Sequence, residues 1–295
     1  MANVIDGKAI AEKIKGEIAE EVARMVKEGM RAPHLAAILV GNDGASMTYV
    51  GHKEKACERV GLKSTVYRLE RNTSQQQLLS LIREINDDDN IDGLIVQLPL
   101  PEGLDEQLVI NTISADKDVD GFHPFNTGKM MLGLPSFLPA TPYGIMTLLK
   151  ESKIETRGKH CVIIGRSNIV GKPMANLLSA KGEGADCTVT LCHSRTPDLK
   201  HFTLDADIII AALGHPKFLT ADMVKPGAVI IDVGITRVED KSKKSGFRLQ
   251  GDVDYENVAP IASYITPVPG GVGPMTIVSL LKNTVAASKI RQARK

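Results

Sequence analysis

The chain has 295 residues, with 36 Lys and Arg against 35 Asp and Glu. That length accommodates two ordinary domains with real cores, and the balanced charge, with no basic stripe interleaved with aromatics, argues against nucleic acid as a partner. No apolar run reaches the roughly 20 residues of a membrane span, and residues 1–8 lack the basic-then-apolar pattern of a secretory signal, so a cytoplasmic protein with no membrane partner is expected.

In chain order, Ile10, Ile14, Ile18, Val22 and Val26 recur every fourth residue and predict one buried face of an amphipathic helix ending near Gly29. Leu35–Val40 is a continuous apolar run, which suits a strand covered on both sides. It ends at Gly41, and a helix is expected from about Ala45 to Val60. Lys63–Arg68 is a weaker strand. Thr73 and Gln76 have the spacing of a capping box before a helix carrying Leu78, Leu79, Ile82 and Ile85. The acidic stretch 87–90 lacks calcium-loop spacing and reads as a solvated turn, so no metal is expected. Gly93–Val96 predicts the next strand, ended by Pro99 and Pro101. Gln97 then stands at the carboxyl end of a strand, where open α/β sheets bind ligands. Residues 116–124 form a loop dense in charge. The Gly- and Pro-rich stretch 133–142 predicts a domain junction, and a helix follows from about Tyr143 to Lys150.

The run from His160 to Met174 reads as strand, glycine turn, helix: apolar Cys161–Ile164, then Gly165, then Pro173 in a first helical turn, where its missing N–H costs nothing. A helix start offers free N–H groups and partial positive charge to a phosphate. Gly165 permits the sharp turn and Gly171 permits close packing of helix on strand. The spacing differs from G-x-G-x-x-G, so the motif is weak alone. Thr188–Cys192 reads as the next strand and ends in His193, Ser194, Arg195 and Thr196, with no acid. A carboxylate there would favour NAD, whereas a nearby cation accommodates the 2′-phosphate of NADP. Arg166 in the first turn is such a cation, so NADP is expected. Asp207–Ala212 before Gly214, and Ala228–Val233 before Gly234, predict two further strands. Residues 239–248 predict an exposed hairpin. Residues 265–276 carry enough proline and glycine to form a shaped loop rather than a linker, with a helix from about Met275. Cys57, Cys161, Cys187 and Cys192 show no C-x-x-C spacing and read as reduced core thiols.

Five segments in order, Tyr49–Lys53, Asp92–Pro101, Lys117–Gly121, Gly165–Pro173 and Pro267–Thr276, resemble the bifunctional methylenetetrahydrofolate dehydrogenase/methenyltetrahydrofolate cyclohydrolase family. The resemblance spans essentially the whole chain. It implies an α/β fold of two α/β domains flanking a cleft, the second a Rossmann-like NADP-binding domain. Residues 1–139 plus 275–295 would form the catalytic folate-binding domain and 140–274 the NADP-binding domain. It also implies a homodimer and folate substrates. By the same resemblance Lys53 is the catalytic lysine, with Tyr49, Gln97 and Asp120 beside it. Val96, Leu98, Pro269, Gly270, Gly271, Val272, Gly273, Pro274, Met275, Thr276 and Ile277 line the folate. Gly165, Arg166, Ser167, Ser194, Arg195, Gly214 and Ile235 hold NADP. Ala140 stands where relatives are expected to carry cysteine, and no step requires a thiol there. Two other readings stay open: an NADP-dependent dehydrogenase of another small substrate without a cyclohydrolase step, and a nucleotide-sensing protein that turns nothing over.

Overall fold

A computed structural model describes residues 2–243 and 246–294. The elements are β1 (Asn3–Val4), α1 (Gly7–Lys27), β2 (His34–Val40), α2 (Gly44–Arg59), β3 (Lys63–Leu69), α3 (Gln75–Asp87) and β4 (Gly93–Val96). They continue with α4 (Glu106–Thr112), α5 (Pro124–Met131), α6 (Ala140–Glu151), β5 (His160–Ile164), α7 (Gly171–Ser179), β6 (Thr188–Cys192), α8 (Leu199–Thr203) and β7 (Ile208–Ala211). The last are β8 (Val229–Asp232), β9 (Thr236–Glu239), β10 (Phe247–Gln250), α9 (Tyr255–Val258), β11 (Tyr264–Ile265) and α10 (Val272–Gln292). No helix among the described residues is long and apolar enough to cross a membrane.

Two compact units result, Glu12–Ala140 with Ile277–Lys295, and Met1–Ala11 with Thr141–Thr276. In the first, β3, β2 and β4 form a parallel sheet in that order. All seven residues of β2 are buried, as expected of a central strand covered on both faces. One layer beneath the sheet joins Ala36 and Ile38 to Leu78, Ile82 and Ile85 of α3. On α1 the buried residues include Ala11, Ile14, Ile18, Val22 and Met25, whereas Ile10 is only half-buried and Val26 is 49% exposed. A strict fourth-residue repeat gains about 40° per step on a 3.6-residue helix, so by Val26 the expected face has rotated away and Met25 replaces it. The cap of α3 is likewise one residue later than expected. Ser74 and Gln77 form the capping box, while the Thr73 hydroxyl donates to the carbonyl of Glu70 at 2.7 Å in the turn before it.

The second unit is a six-stranded sheet in the order β1-β11-β8-β7-β5-β6, parallel throughout. Ile164, Ile209, Ala211 and Ile230 lie in its core. Residues 1–11 were expected with the folate-binding domain. In the fold they pack with this unit, where β1 completes the sheet edge against β11, Asn3 opposite Tyr264 and Val4 opposite Ile265. A two-residue strand with both residues exposed carries no periodicity to read. The expected hairpin is the antiparallel pair β9–β10; positions 244 and 245 of that prediction lie outside the described residues. Helix α10 begins at Val272 rather than Met275. The four cysteines are free and buried. Burial pushes the Cys57 thiol up to about 12 and the Cys187 thiol up to about 11, which makes both poor nucleophiles at neutral pH.

Candidate active site

Helix α2 starts on a side-chain cap: the Asp43 carboxylate accepts from the Ser46 N–H at 2.8 Å, satisfying one of the free amides of a helix start. Tyr49 and Lys53 follow one turn apart, on one face. Lys53 Nζ donates to Gln97 Oε1 at 3.1 Å, while Gln97 Nε2 donates to the Leu98 carbonyl at 2.7 Å. The amide oxygen of Gln97 is therefore aimed at the lysine and its nitrogen is engaged elsewhere. The backbone N–H of Gln97 still bonds Ile38 of the neighbouring strand at 2.9 Å. The glutamine thus stands on the last rung of the sheet, with Val96 buried just before it.

Asp120 follows a segment that is far from a plain charged loop. Leu94 donates to the Lys117 carbonyl at 2.7 Å, and Leu94 bridges Asp118 as an extra parallel rung. Lys117 is fully buried, its ammonium donating to the carbonyls of Ile85 at 2.7 Å and Asp88 at 2.6 Å, at the end of α3. Burial lowers Lys117 to about 8, Arg291 adding to that effect and Asp88, Asp89 and Asp92 opposing it. The Asp118 carboxylate accepts from the backbone of Phe122 and His123 and from Asn126 Nδ2. From α10, Asn283 Nδ2 donates to the carbonyls of Val119 at 2.8 Å and Leu138 at 3.0 Å. Gly121 has a φ of +73°, and a Cβ there would lie 2.6 Å from the Leu138 carbonyl carbon. Asp120 is thus clamped on both sides. Desolvation raises its carboxyl from the ordinary range, Lys53 pulls it down and Asp118 adds to the rise. Lys53, Gln97 and Asp120 are brought together, with Tyr49 on the same helix as the lysine.

The expected nucleotide residues all lie in the six-stranded unit, at or beyond the carboxyl ends of β5, β6, β7 and β8. A Cβ on Gly165 would lie 2.2 Å from the Ala212 carbonyl oxygen, and one on Gly171 would lie 2.0 Å from the carbonyl oxygen of Gly165. Backbone therefore rests on backbone at the start of α7, leaving the close approach that a dinucleotide phosphate requires. The Ser167 hydroxyl accepts from the N–H groups of Val170 at 3.1 Å and Gly171 at 3.4 Å. Arg166 is exposed beside it. The turn after β6 is closed by Thr196 Oγ1 accepting from the His193 N–H at 2.9 Å, which leaves Ser194 and Arg195 exposed at its tip. Gly214 has a φ of +72°, and Ile235 is 39% exposed.

Pro269–Thr276 also falls in this unit. Lys8 donates its N–H to the Gly270 carbonyl at 2.9 Å, and a Cβ on Gly7 would lie 1.9 Å from the Gly271 oxygen. Gly144 packs on Met275 in the same way. A Cβ on Gly273 would lie 3.3 Å from Ile235. The loop is shaped by backbone contact, with Gly270 at a φ of +107°. Ile277 falls in the three-stranded unit.

Two family models match the chain: tetrahydrofolate dehydrogenase/cyclohydrolase, catalytic domain, over residues 5–120, and the NAD(P)-binding domain of the same family over residues 139–292. The chain belongs to the tetrahydrofolate dehydrogenase/cyclohydrolase family. Within this family it is 61% identical over 286 residues to the bifunctional protein FolD of Bacteroides thetaiotaomicron, covering 97% of this chain and 98% of the relative. It is 59% identical to that of Porphyromonas gingivalis, covering 97% of both. Among solved structures, the bifunctional FolD enzyme of Campylobacter jejuni superposes with a TM-score of 0.92 at 50% identity, covering 99% and 100% of the two chains. The Trypanosoma brucei methylenetetrahydrofolate dehydrogenase-cyclohydrolase, solved with NADP and an inhibitor, superposes at 0.94 with 39% identity, covering 100% and 99%. Both family domains are α/β, and the NAD(P)-binding one is Rossmann-like.

Proposed function

We propose that this chain oxidises 5,10-methylenetetrahydrofolate with NADP to the 5,10-methenyl form and hydrolyses that product to 10-formyltetrahydrofolate. The observation that carries the reading is the Lys53–Gln97 hydrogen bond beside the clamped Asp120, within a chain of this family. The folate pterin presents adjacent amide and amino donors, and Asp120 supplies one carboxylate to accept from both. Tyr49 offers a ring for stacking and a hydroxyl. Val96 and Leu98, in the same unit, would line the folate beside them.

Gly165, Ser167 and the start of α7 would hold the pyrophosphate, with Arg166 and Arg195 available to the 2′-phosphate, and Ser194, Gly214 and Ile235 along the rest of the dinucleotide. When bound, NADP supplies the acceptor for hydride. The methylene carbon loses hydrogen with both bonding electrons, and the adjacent nitrogen lone pairs stabilise the cation that remains. No proton moves in that step, so no base is needed. Hydrolysis differs: the attacking water loses a proton, and the leaving nitrogen gains one. A like charge close by disfavours the ammonium form, so the cationic substrate itself promotes the free amine of Lys53, which Gln97 positions. The amine takes a proton from water as the carbon–oxygen bond forms, the resulting ammonium returns one to the ring nitrogen as the carbon–nitrogen bond breaks, and the second water proton is released to solvent as the formyl carbonyl forms.

An assay with methylenetetrahydrofolate and NADP, read separately for methenyl and formyl products, tests this. Both products are expected in sequence. Methenyl product alone would favour a dehydrogenase without the second step, and NADP binding without either product would favour a sensor. A cytoplasmic homodimer completes the proposal, supported by the buried free thiols suited to a reducing compartment and by the family resemblance.

A further inference from the structure

Asp232, the last residue of β8, and Asp252, just after β10, are buried together with no cation among their hydrogen-bond partners in the described residues. Asp232 is 3% exposed and Asp252 is fully buried. Their partners are backbone amides. Asp232 accepts from Gly234 at 3.0 Å, Asp252 at 2.9 Å and Val253 at 3.0 Å. One oxygen of Asp252 accepts from Leu213 at 2.6 Å and Gly214 at 2.9 Å. The other has no partner among the described residues and lies against Gly234, where a Cβ would approach it to 2.4 Å. Gly251 sits against Asp232 reciprocally, at 1.9 Å. Each glycine thus makes room for the carboxylate of the opposite turn.

We propose that Asp252 is a positioning residue for the dinucleotide: its carboxylate holds the Leu213–Gly214 turn in the form the cofactor needs, and Asp232 in turn holds Asp252. The path to the crevice is short. Leu213 follows Ala212, whose carbonyl oxygen lies where a Cβ of Gly165 would be, at 2.2 Å. The Leu213–Gly214 turn is therefore continuous with the surface against which the phosphate turn packs. Lys217 and Leu219 bond back to Gly251 and Asp252 at 3.0 and 2.9 Å, closing a loop whose two ends both depend on Asp252. Packing alone would be served by an apolar residue of this size; only an acceptor serves two converging amides. Burial and the neighbouring Asp252 raise Asp232 to about 6, against the three amides that pull it down, as expected of acids kept in a dry setting for their geometry.

This proposal rests on the dinucleotide reading of the crevice. The test compares the whole wild-type protein with Asp252→Ala and Asp252→Asn. Hydrogen exchange at Leu213 and Gly214 is measured without cofactor, NADP dissociation constants by titration, and hydrolysis of preformed methenyl substrate without NADP. Leaving buried donors unpaired should speed exchange and weaken NADP by about tenfold or more in Asp252→Ala. Asp252→Asn, which keeps one oxygen acceptor, should recover most of both. Hydrolysis should fall by a much smaller factor in either variant. Unchanged exchange, unchanged NADP affinity, or a parallel fall in hydrolysis and binding would each overturn the positioning role. Failure of the wild type itself to bind NADP would instead overturn the crevice reading, and this inference with it.

Discussion

The candidate sites of the two units are built from different parts of the chain. In the three-stranded unit the candidate site is made of side chains that meet one another: Lys53 on Gln97, Asp120 within the influence of Lys53. In the six-stranded unit the working surface is backbone, and the buried acids Asp232 and Asp252 serve to hold turns. Chemistry needs functional groups that change state, whereas a dinucleotide needs a shaped surface of amides. Replacing a side chain should therefore hurt turnover in the first unit, and adding one to a glycine should hurt binding in the second.

The sharpest break is at Lys53. Lys53→Met should cut hydrolysis by about 10²–10⁴-fold, the usual contribution of a positioned base, while dehydrogenation survives. Single-turnover formation and decay of the methenyl species would show it; an equal fall in both steps would make Lys53 a substrate-positioning group only. Next is Gly171→Ala. The new methyl would meet the Gly165 carbonyl, and overpacking of about 1–3 kcal/mol corresponds to as much as a hundredfold loss of NADP affinity. Titration should find that loss with hydrolysis largely spared. Arg166→Gln should raise the Michaelis constant for NADP by about tenfold, the scale of one charge-assisted bond to phosphate, with little change for NAD. Equal changes for both cofactors would remove Arg166 from the 2′-phosphate pocket.

The smallest effect concerns Lys117. Its native value near 8 lies below the ordinary 10.5, so between those values the unfolded chain holds a proton the folded one has released. Stability from this group therefore rises as pH climbs from about 8 to about 10.5. Denaturant unfolding of wild type and Lys117→Met across that window should diverge in favour of wild type as pH rises. Parallel curves would mean that the ammonium is as well solvated as a surface lysine.

Much of the sheet framework was legible because parallel strands buried on both faces leave continuous apolar runs; β2, β4, β5, β7 and β8 all carry that mark. The glycine turn at Gly165 and the absence of an acid after β6 were equally readable, since each is local. What escaped reading depends on distance in the chain. Asn283 reaches Val119 across 164 positions, and Asp252 reaches Leu213 across 39; no spacing rule links such residues. Lys117 and Asp118 registered only as part of a loop dense in charge, because composition records a charge and not the carbonyls or amides it meets. Strands β1 and β11, two residues each, are too short for any period.

The pairing of β1 with β11 bears on how the polypeptide is made. Asn3 leaves the ribosome early, and its neighbour in the sheet, Tyr264, emerges after some 260 further additions, on the order of tens of seconds later at ordinary synthesis rates. The three-stranded unit waits longer still, since it incorporates Ile277–Lys295. Neither unit can close before these late segments have emerged. The nascent chain must carry an unfinished sheet edge and an uncovered apolar surface until those late segments emerge, which makes it a natural client for chaperones that shield emerging segments.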